Sequence, residues 1–68
     1  MKNGIVKWFS VRRGYGFIEK EDGEEVFFHY SDISMPGFKV LSSRDKVSFD
    51  IERSEQGSRA INVLKISS

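Results

Sequence analysis

The sequence predicts an all-β protein closed into a small five-stranded barrel, and three observations carry that expectation. Apolar residues recur with period two or in short aromatic and β-branched runs, turn signals punctuate the chain at short intervals, and no window of eleven residues shows a helical stripe. In chain order, Gly4 through Phe9 is the first strand and Tyr15-Gly16-Phe17-Ile18 the second, joined across Arg12-Arg13-Gly14. Val26 through Tyr30 is the third, reached through Glu21-Asp22-Gly23, whose Asp-Gly pair is the strongest hairpin signal in the chain. The connection from Ser31 to Ser43, interrupted by Met35-Pro36-Gly37, has room for a single helical or 3₁₀ turn. After Ser42-Ser43, Val47-Ser48-Phe49-Asp50-Ile51 alternates strictly as the fourth strand. Beyond Glu55-Gln56-Gly57, the Ile- and Val-rich stretch from Ala60 to Ile66 is the fifth. Five short strands leave unpaired backbone at their edges, and curling into a barrel removes those edges while enclosing one small core.

Length and composition narrow the function classes. A chain of 68 residues, without repeats or low-complexity tracts, is expected to form one domain over 1–68 with a thin core and little room for a deep catalytic cleft. The absence of cysteine excludes a disulfide framework, and with a single histidine it excludes a Cys/His zinc cluster, so no metal and no cofactor are expected. No apolar run exceeds the three residues Val26-Phe27-Phe28, and Met1-Lys2-Asn3-Gly4 leads into no signal-peptide core. A cytoplasmic protein without membrane contact is the expectation. The formal net charge of +1 supplies no bulk attraction for a polyanion. Its distribution is uneven: residues 1–18 carry four bases and no acid, residues 19–32 carry six acids and only Lys20, and the remainder is mildly basic.

The nine aromatic residues hold the functional signal. On the second strand Gly16 and Ile18 share one face and Tyr15 and Phe17 the other; on the third, Val26 and Phe28 oppose Phe27 and His29. A small barrel has one interior. If Ile18, Val26 and Phe28 fill it with Val47, Phe49 and Ile51, then Tyr15, Phe17, Phe27 and His29 face outward, an apolar patch of the kind that marks a binding surface. The competing assignment makes the Tyr15, Phe17 and Phe27 face the core. Parity alone leaves Trp8, Tyr30 and Phe38 open between a satellite apolar cluster and the ring face. His29 has no cysteine, serine or acid at triad-like spacing, so no catalytic residue is expected. Flat rings flanked by Lys7, Arg12, Arg13 and Lys39 suit single-stranded nucleic acid: each unpaired base offers a π-face, and stacking is worth about 1–3 kcal/mol per base. Exposed ion pairs contribute about 1 kcal/mol or less, so stacking should dominate and charge should be secondary.

Arg13-Gly14-Tyr15-Gly16-Phe17 matches the five opening positions of the ribonucleoprotein octamer, with Ile18 replacing its valine and Lys20 its closing aromatic, yet the second aromatic cluster follows it rather than preceding it, and the helices of an RNA recognition motif are missing. Taken together, Lys7-Trp8-Phe9, Arg13 through Ile18, Val26-Phe27-Phe28-His29-Tyr30, Gly37-Phe38-Lys39 and Asn62-Val63 closely resemble, in residue type and spacing, the bacterial cold-shock protein family over essentially the whole chain. The resemblance implies a five-stranded antiparallel OB-fold barrel. It implies that Lys7, Trp8, Arg13, Tyr15, Phe17, Phe27, His29, Tyr30, Phe38 and Lys39 form a nucleic-acid-binding platform, which assigns Trp8, Tyr30 and Phe38 to the ring face. The implied activity is that of a non-enzymatic, monomeric binder of single-stranded RNA and DNA with low sequence specificity. Such a protein acts as an RNA chaperone and in transcription and translation, without a small-molecule substrate. The chain departs from the family pattern at several positions. Tyr15 and Tyr30 replace phenylalanine, Arg13 replaces lysine, Glu25 replaces aspartate and Ser10 replaces asparagine. Phe28 replaces valine, which would overpack the barrel unless a smaller neighbour compensates. Arg44-Asp45, Ser54 and Ser58 replace Gly-Gln, a loop glycine and proline. Two rivals remain at this level: a Src-homology-like barrel docking proline-rich peptides, and an enzyme resting on His29 alone.

Overall fold

A computed structural model describes residues 2–34 and 41–66. Five strands, β1 (Lys2–Ser10), β2 (Tyr15–Lys20), β3 (Glu25–His29), β4 (Lys46–Ser54) and β5 (Gly57–Lys65), close into a barrel in the order β1-β2-β3-β5-β4. A single 3₁₀ turn, Tyr30–Asp32, follows β3 and takes Tyr30 out of the strand expected to include it. The hairpin pairs β1·β2, β2·β3 and β4·β5 are antiparallel, and so is the long-range pair β1·β4. Closure is different: β3 meets β5 in parallel, with Phe27 opposite Arg59, and a further parallel bridge joins Ile33 to Val63. The parallel junction arises because β4 crosses the barrel before the chain returns in β5, and no local turn announces it.

Val6, Ile18, Val26, Phe28, Ile33, Leu41, Val47, Phe49, Ala60 and Val63 form the core. Ile18, Val26, Phe28, Val47 and Phe49 were expected there from strand parity. Ile51 is only partly buried, because Lys2 pairs with Phe49 and β4 has outrun β1 by the time it reaches Ile51. Phe28, fully buried, stacks on Phe9 at 5.5 Å between centroids. Gly16 stands directly opposite it on β2 and leaves space for the ring. A Cβ on Gly16 would stand 3.1 Å from Phe28 Cε1 and would collide with the Trp8 carbonyl oxygen, so only glycine lets β1, β2 and this ring approach so closely.

Two irregularities shift the alternation. Val6 pairs with Ile18 and Trp8 with Phe17, so Lys7 is an extra residue, a bulge in β1. On β5, Ser48 pairs with Leu64 but Asp50 with Ile61, and Asn62 takes φ +51° within the bulge. That bulge keeps Ala60 and Val63, three residues apart, both inside the barrel. The turn before β4 places Arg44 at φ +76°, with its N–H donating to the Val6 carbonyl at 2.8 Å.

Candidate nucleic-acid interface

Because Gly16, Ile18, Val26 and Phe28 point inward, the alternate residues of β2 and β3 point out, and the paired register sets them side by side: Tyr15 opposite His29, Phe17 opposite Phe27, Glu19 opposite Glu25. Four rings then form an unbroken chain. Trp8 lies 5.5 Å from Tyr15 and 5.4 Å from Phe17, Tyr15 lies 5.7 Å from Phe27, and Phe17 lies 5.9 Å from Phe27. Their planes are tilted or edge-on to one another, so the rings support each other while leaving faces toward solvent. Phe17 and Phe27 are half-buried rather than covered, which removes the competing assignment that made this face the core. Trp8 is 39% exposed. The bulge decides this: strict alternation from the buried Val6 would turn Trp8 inward, whereas the extra Lys7 turns it onto the ring face and leaves Phe9 to pack against the core.

His29 ends β3 at the edge of this array. Its backbone N–H donates to Asp32 Oδ2 at 2.9 Å, and its Nδ1 receives the Ser31 N–H at 3.2 Å with Ser31 Oγ at 3.0 Å. An Nδ1 that accepts from a backbone N–H places the proton of the neutral ring on Nε2. The 3₁₀ turn thus fixes both the plane and the tautomer of the imidazole. Tyr30, 47% exposed, opens that turn and donates its backbone N–H to the Gly14 carbonyl at 2.7 Å, which ties the end of β3 to the β1–β2 turn.

Cations rim the array at both ends. Arg13 is exposed, with Nη1 3.5 Å from the Tyr15 hydroxyl. Lys7 is exposed and lies 3.7 Å from Glu25 Oε2. Beyond Phe17 and Phe27 the outer face changes from rings to the facing carboxylates of Glu19 and Glu25, with Lys7 as the cation beside them. The structure therefore brings together Lys7, Trp8, Arg13, Tyr15, Phe17, Phe27, His29 and Tyr30. Phe38 and Lys39, also expected on the platform, lie outside the described residues. Arg59 was missing from the sequence-derived set. It stands beside Phe27 across the parallel junction, with Nε 3.3 Å from the buried carboxylate of Asp32 and Nη2 3.9 Å from Glu52 Oε1. Nothing in the sequence marks it, because the pairing that puts it there spans the barrel.

Away from this face, Asp22 accepts the Glu24 N–H at 2.9 Å in the β2–β3 turn. That hydrogen bond, helped by Lys20, holds its carboxyl below the usual carboxylate range. Among the described residues no helix is long and apolar enough to cross a membrane, and no group of three or more His, Cys, Asp or Glu could hold a metal ion.

The chain matches the family model described as the 'Cold-shock' DNA-binding domain over residues 2–66. It is 51% identical over 65 residues to cold shock protein CspC of Bacillus subtilis, covering 96% of this chain and 98% of that protein. It is 55% identical over 64 residues to cold shock protein 1 of Lactiplantibacillus plantarum, covering 94% and 97%. Among solved structures it is similar to the Drosophila Unr CSD456 structure, with a TM-score of 0.74 at 20% identity, over 96% of this chain and 26% of that one, a likeness of fold.

Proposed function

The chain belongs to the cold-shock domain family of nucleic-acid-binding proteins, and from that premise we propose that it is a non-enzymatic binder of single-stranded RNA and DNA, acting in the cytoplasm as a monomeric RNA chaperone. The observation that carries this reading is the chain of four rings, Trp8, Tyr15, Phe17 and Phe27, left open to solvent beside His29 and Tyr30. Stacking at about 1–3 kcal/mol per base makes four such positions worth on the order of 4–8 kcal/mol. Exposed cations such as Lys7 and Arg13 add about 1 kcal/mol or less each. A net charge of +1 is therefore no obstacle to binding a polyanion.

Every base has a π-face, so stacking tolerates sequence and requires only that the strand be unpaired. Binding the open strand and not the duplex lowers the free energy of the open form by RT ln(1 + [L]/Kd), about 2.7 kcal/mol at a hundredfold excess over Kd. This suffices to open marginal hairpins without ATP. Trp8 is the single tryptophan and lies within the array, so its fluorescence reports occupancy. Titration with hexathymidine should quench Trp8 saturably, whereas a blunt duplex or a polyproline peptide should not. The logarithm of affinity should fall with the logarithm of salt with a slope of about −2 to −3, as for three or four phosphates engaged. Failure of hexathymidine to bind, or preferential binding of the polyproline peptide, overturns the reading.

A further inference from the structure

The outward row that begins at Trp8 and runs through Phe17 and Phe27 does not end with a ring. Register carries it across the barrel closure to Arg59 on β5 and Glu52 on β4. Residues in register on adjacent strands point to the same side, so the Arg59 side chain, half exposed, lies beside Phe27 at the neighbouring-strand distance of about 4.8 Å. A base stacked on Phe27 is wider than that spacing, and its edge reaches over β5.

The surroundings of this guanidinium distinguish it from Lys7 and Arg13. Asp32, whose side chain is 6% exposed, forms an ion pair with Arg59, its Oδ2 3.3 Å from Nε, and the same oxygen accepts the His29 N–H at 2.9 Å. Glu52 Oε1 lies 3.9 Å from Nη2. The two carboxylates outweigh the single cation, so the spot has no net positive field with which to attract phosphate. They also hold the guanidinium beside Phe27, with Asp32 on its Nε side. The remaining Nη hydrogens are directional donors held at the edge of a stacking surface. Two donors side by side match the O6 and N7 acceptors of guanine. Adenine presents N7 beside an N6 donor, which would face a second donor. Phosphate is a poor ligand here, and an unfixed lysine could not give the same geometry.

We propose that Arg59 reads the edge of the base stacked on Phe27 and makes this one position of an otherwise sequence-tolerant platform selective for guanine over adenine. The proposal rests on the single-strand-binding reading above, so its test carries its own control. Hexathymidines with one guanine or one adenine at each successive position are titrated against the wild type and Arg59→Lys, with 7-deazaguanine, which lacks the N7 acceptor, in a third series. At one position guanine should exceed adenine by about 5- to 150-fold. That excess should fall to about twofold or less with 7-deazaguanine in the wild type, and likewise with guanine in Arg59→Lys. In the variant the guanine excess should change by more than the affinity for unmodified hexathymidine does. The 7-deazaguanine arm leaves the protein intact, so it decides the matter even if loosening Asp32 unfolds the variant. If the wild type binds hexathymidine but prefers guanine at no position, or the preference survives loss of N7 or of the arginine fork, the proposal is wrong while the platform stands. If the salt slope flattens by about 0.7 in the charge-removing Arg59→Gln, the residue contacts phosphate and the proposal is equally wrong. Failure of the wild type to bind hexathymidine removes the platform and this inference with it.

Discussion

Truncating Phe17 to alanine should weaken nucleic-acid binding more than it weakens the fold. Phe17 is half-buried and meets two rings, Trp8 at 5.4 Å and Phe27 at 5.9 Å. Such pairs contribute about 0.5–1.5 kcal/mol each, toward the lower end where solvent reaches them, so the stability loss should be about 1–2 kcal/mol. The lost stacking surface costs about 1–3 kcal/mol of affinity, roughly 5- to 150-fold in Kd, and Phe27→Ala should behave alike. Phe28, one residue away on β3 with 0% exposure, provides the contrast. Phe28→Ala empties a core site and should cost about 3–5 kcal/mol, a large share of the total for a domain this small. Phe28→Leu is the working control: it should lose about 1 kcal/mol of stability, comparable to Phe17→Ala, and leave affinity unchanged. Urea unfolding followed by far-ultraviolet circular dichroism gives the stabilities. Anisotropy of a labelled hexathymidine gives the affinities without relying on Trp8, whose environment Phe17 alters. A loss of 3–5 kcal/mol of stability in Phe17→Ala with intact affinity, or a tenfold affinity loss in Phe28→Leu, would refute the division between core and platform.

Three further expectations follow from backbone and electrostatics. Arg44→Gly should raise the urea midpoint by the equivalent of about 0.5–1 kcal/mol. Relief of a left-handed conformation worth about 1–2 kcal/mol exceeds the extra chain entropy of glycine, and the Arg44 N–H to Val6 bond is kept; a lower midpoint contradicts this. Gly16→Ala should cost about 3 kcal/mol or more, because its Cβ meets the Trp8 carbonyl. Gly23→Ala, with φ +88° but nothing within 4 Å, should cost only about 1 kcal/mol, and equal midpoints for the two variants would dispose of the close-approach account. Asp22 should titrate below the ordinary aspartate value of about 3.9, held down first by the Glu24 N–H and then by Lys20. Since its folded-state pKa is depressed, the stability it contributes is present above the unfolded value and is lost as pH falls through the folded one. An NMR titration of its carboxyl carbon placing the midpoint at or above 3.9 would remove the effect.

Much of this molecule was legible in the chain itself. Alternation together with short aromatic and β-branched runs placed all five strands, and the face bearing Ile18, Val26, Phe28, Val47 and Phe49 was rightly inward because a small barrel has only one interior to fill. The outward set Tyr15, Phe17, Phe27 and His29 followed from the same parity. Three matters lay beyond strand patterning. Trp8 could not be assigned by alternation because Lys7 is an extra residue in β1, and a bulge reverses every side chain beyond it. Parity put Gly16 on the face of Ile18, but that it makes room for Phe28 depends on their facing each other across two strands. Arg59 reached the ring face only through the parallel junction of β3 with β5. Alternation is a property of neighbours in sequence, whereas bulges, cross-strand accommodation and barrel closure depend on which distant segments meet. That is settled by packing of the whole chain and not by any stretch of it.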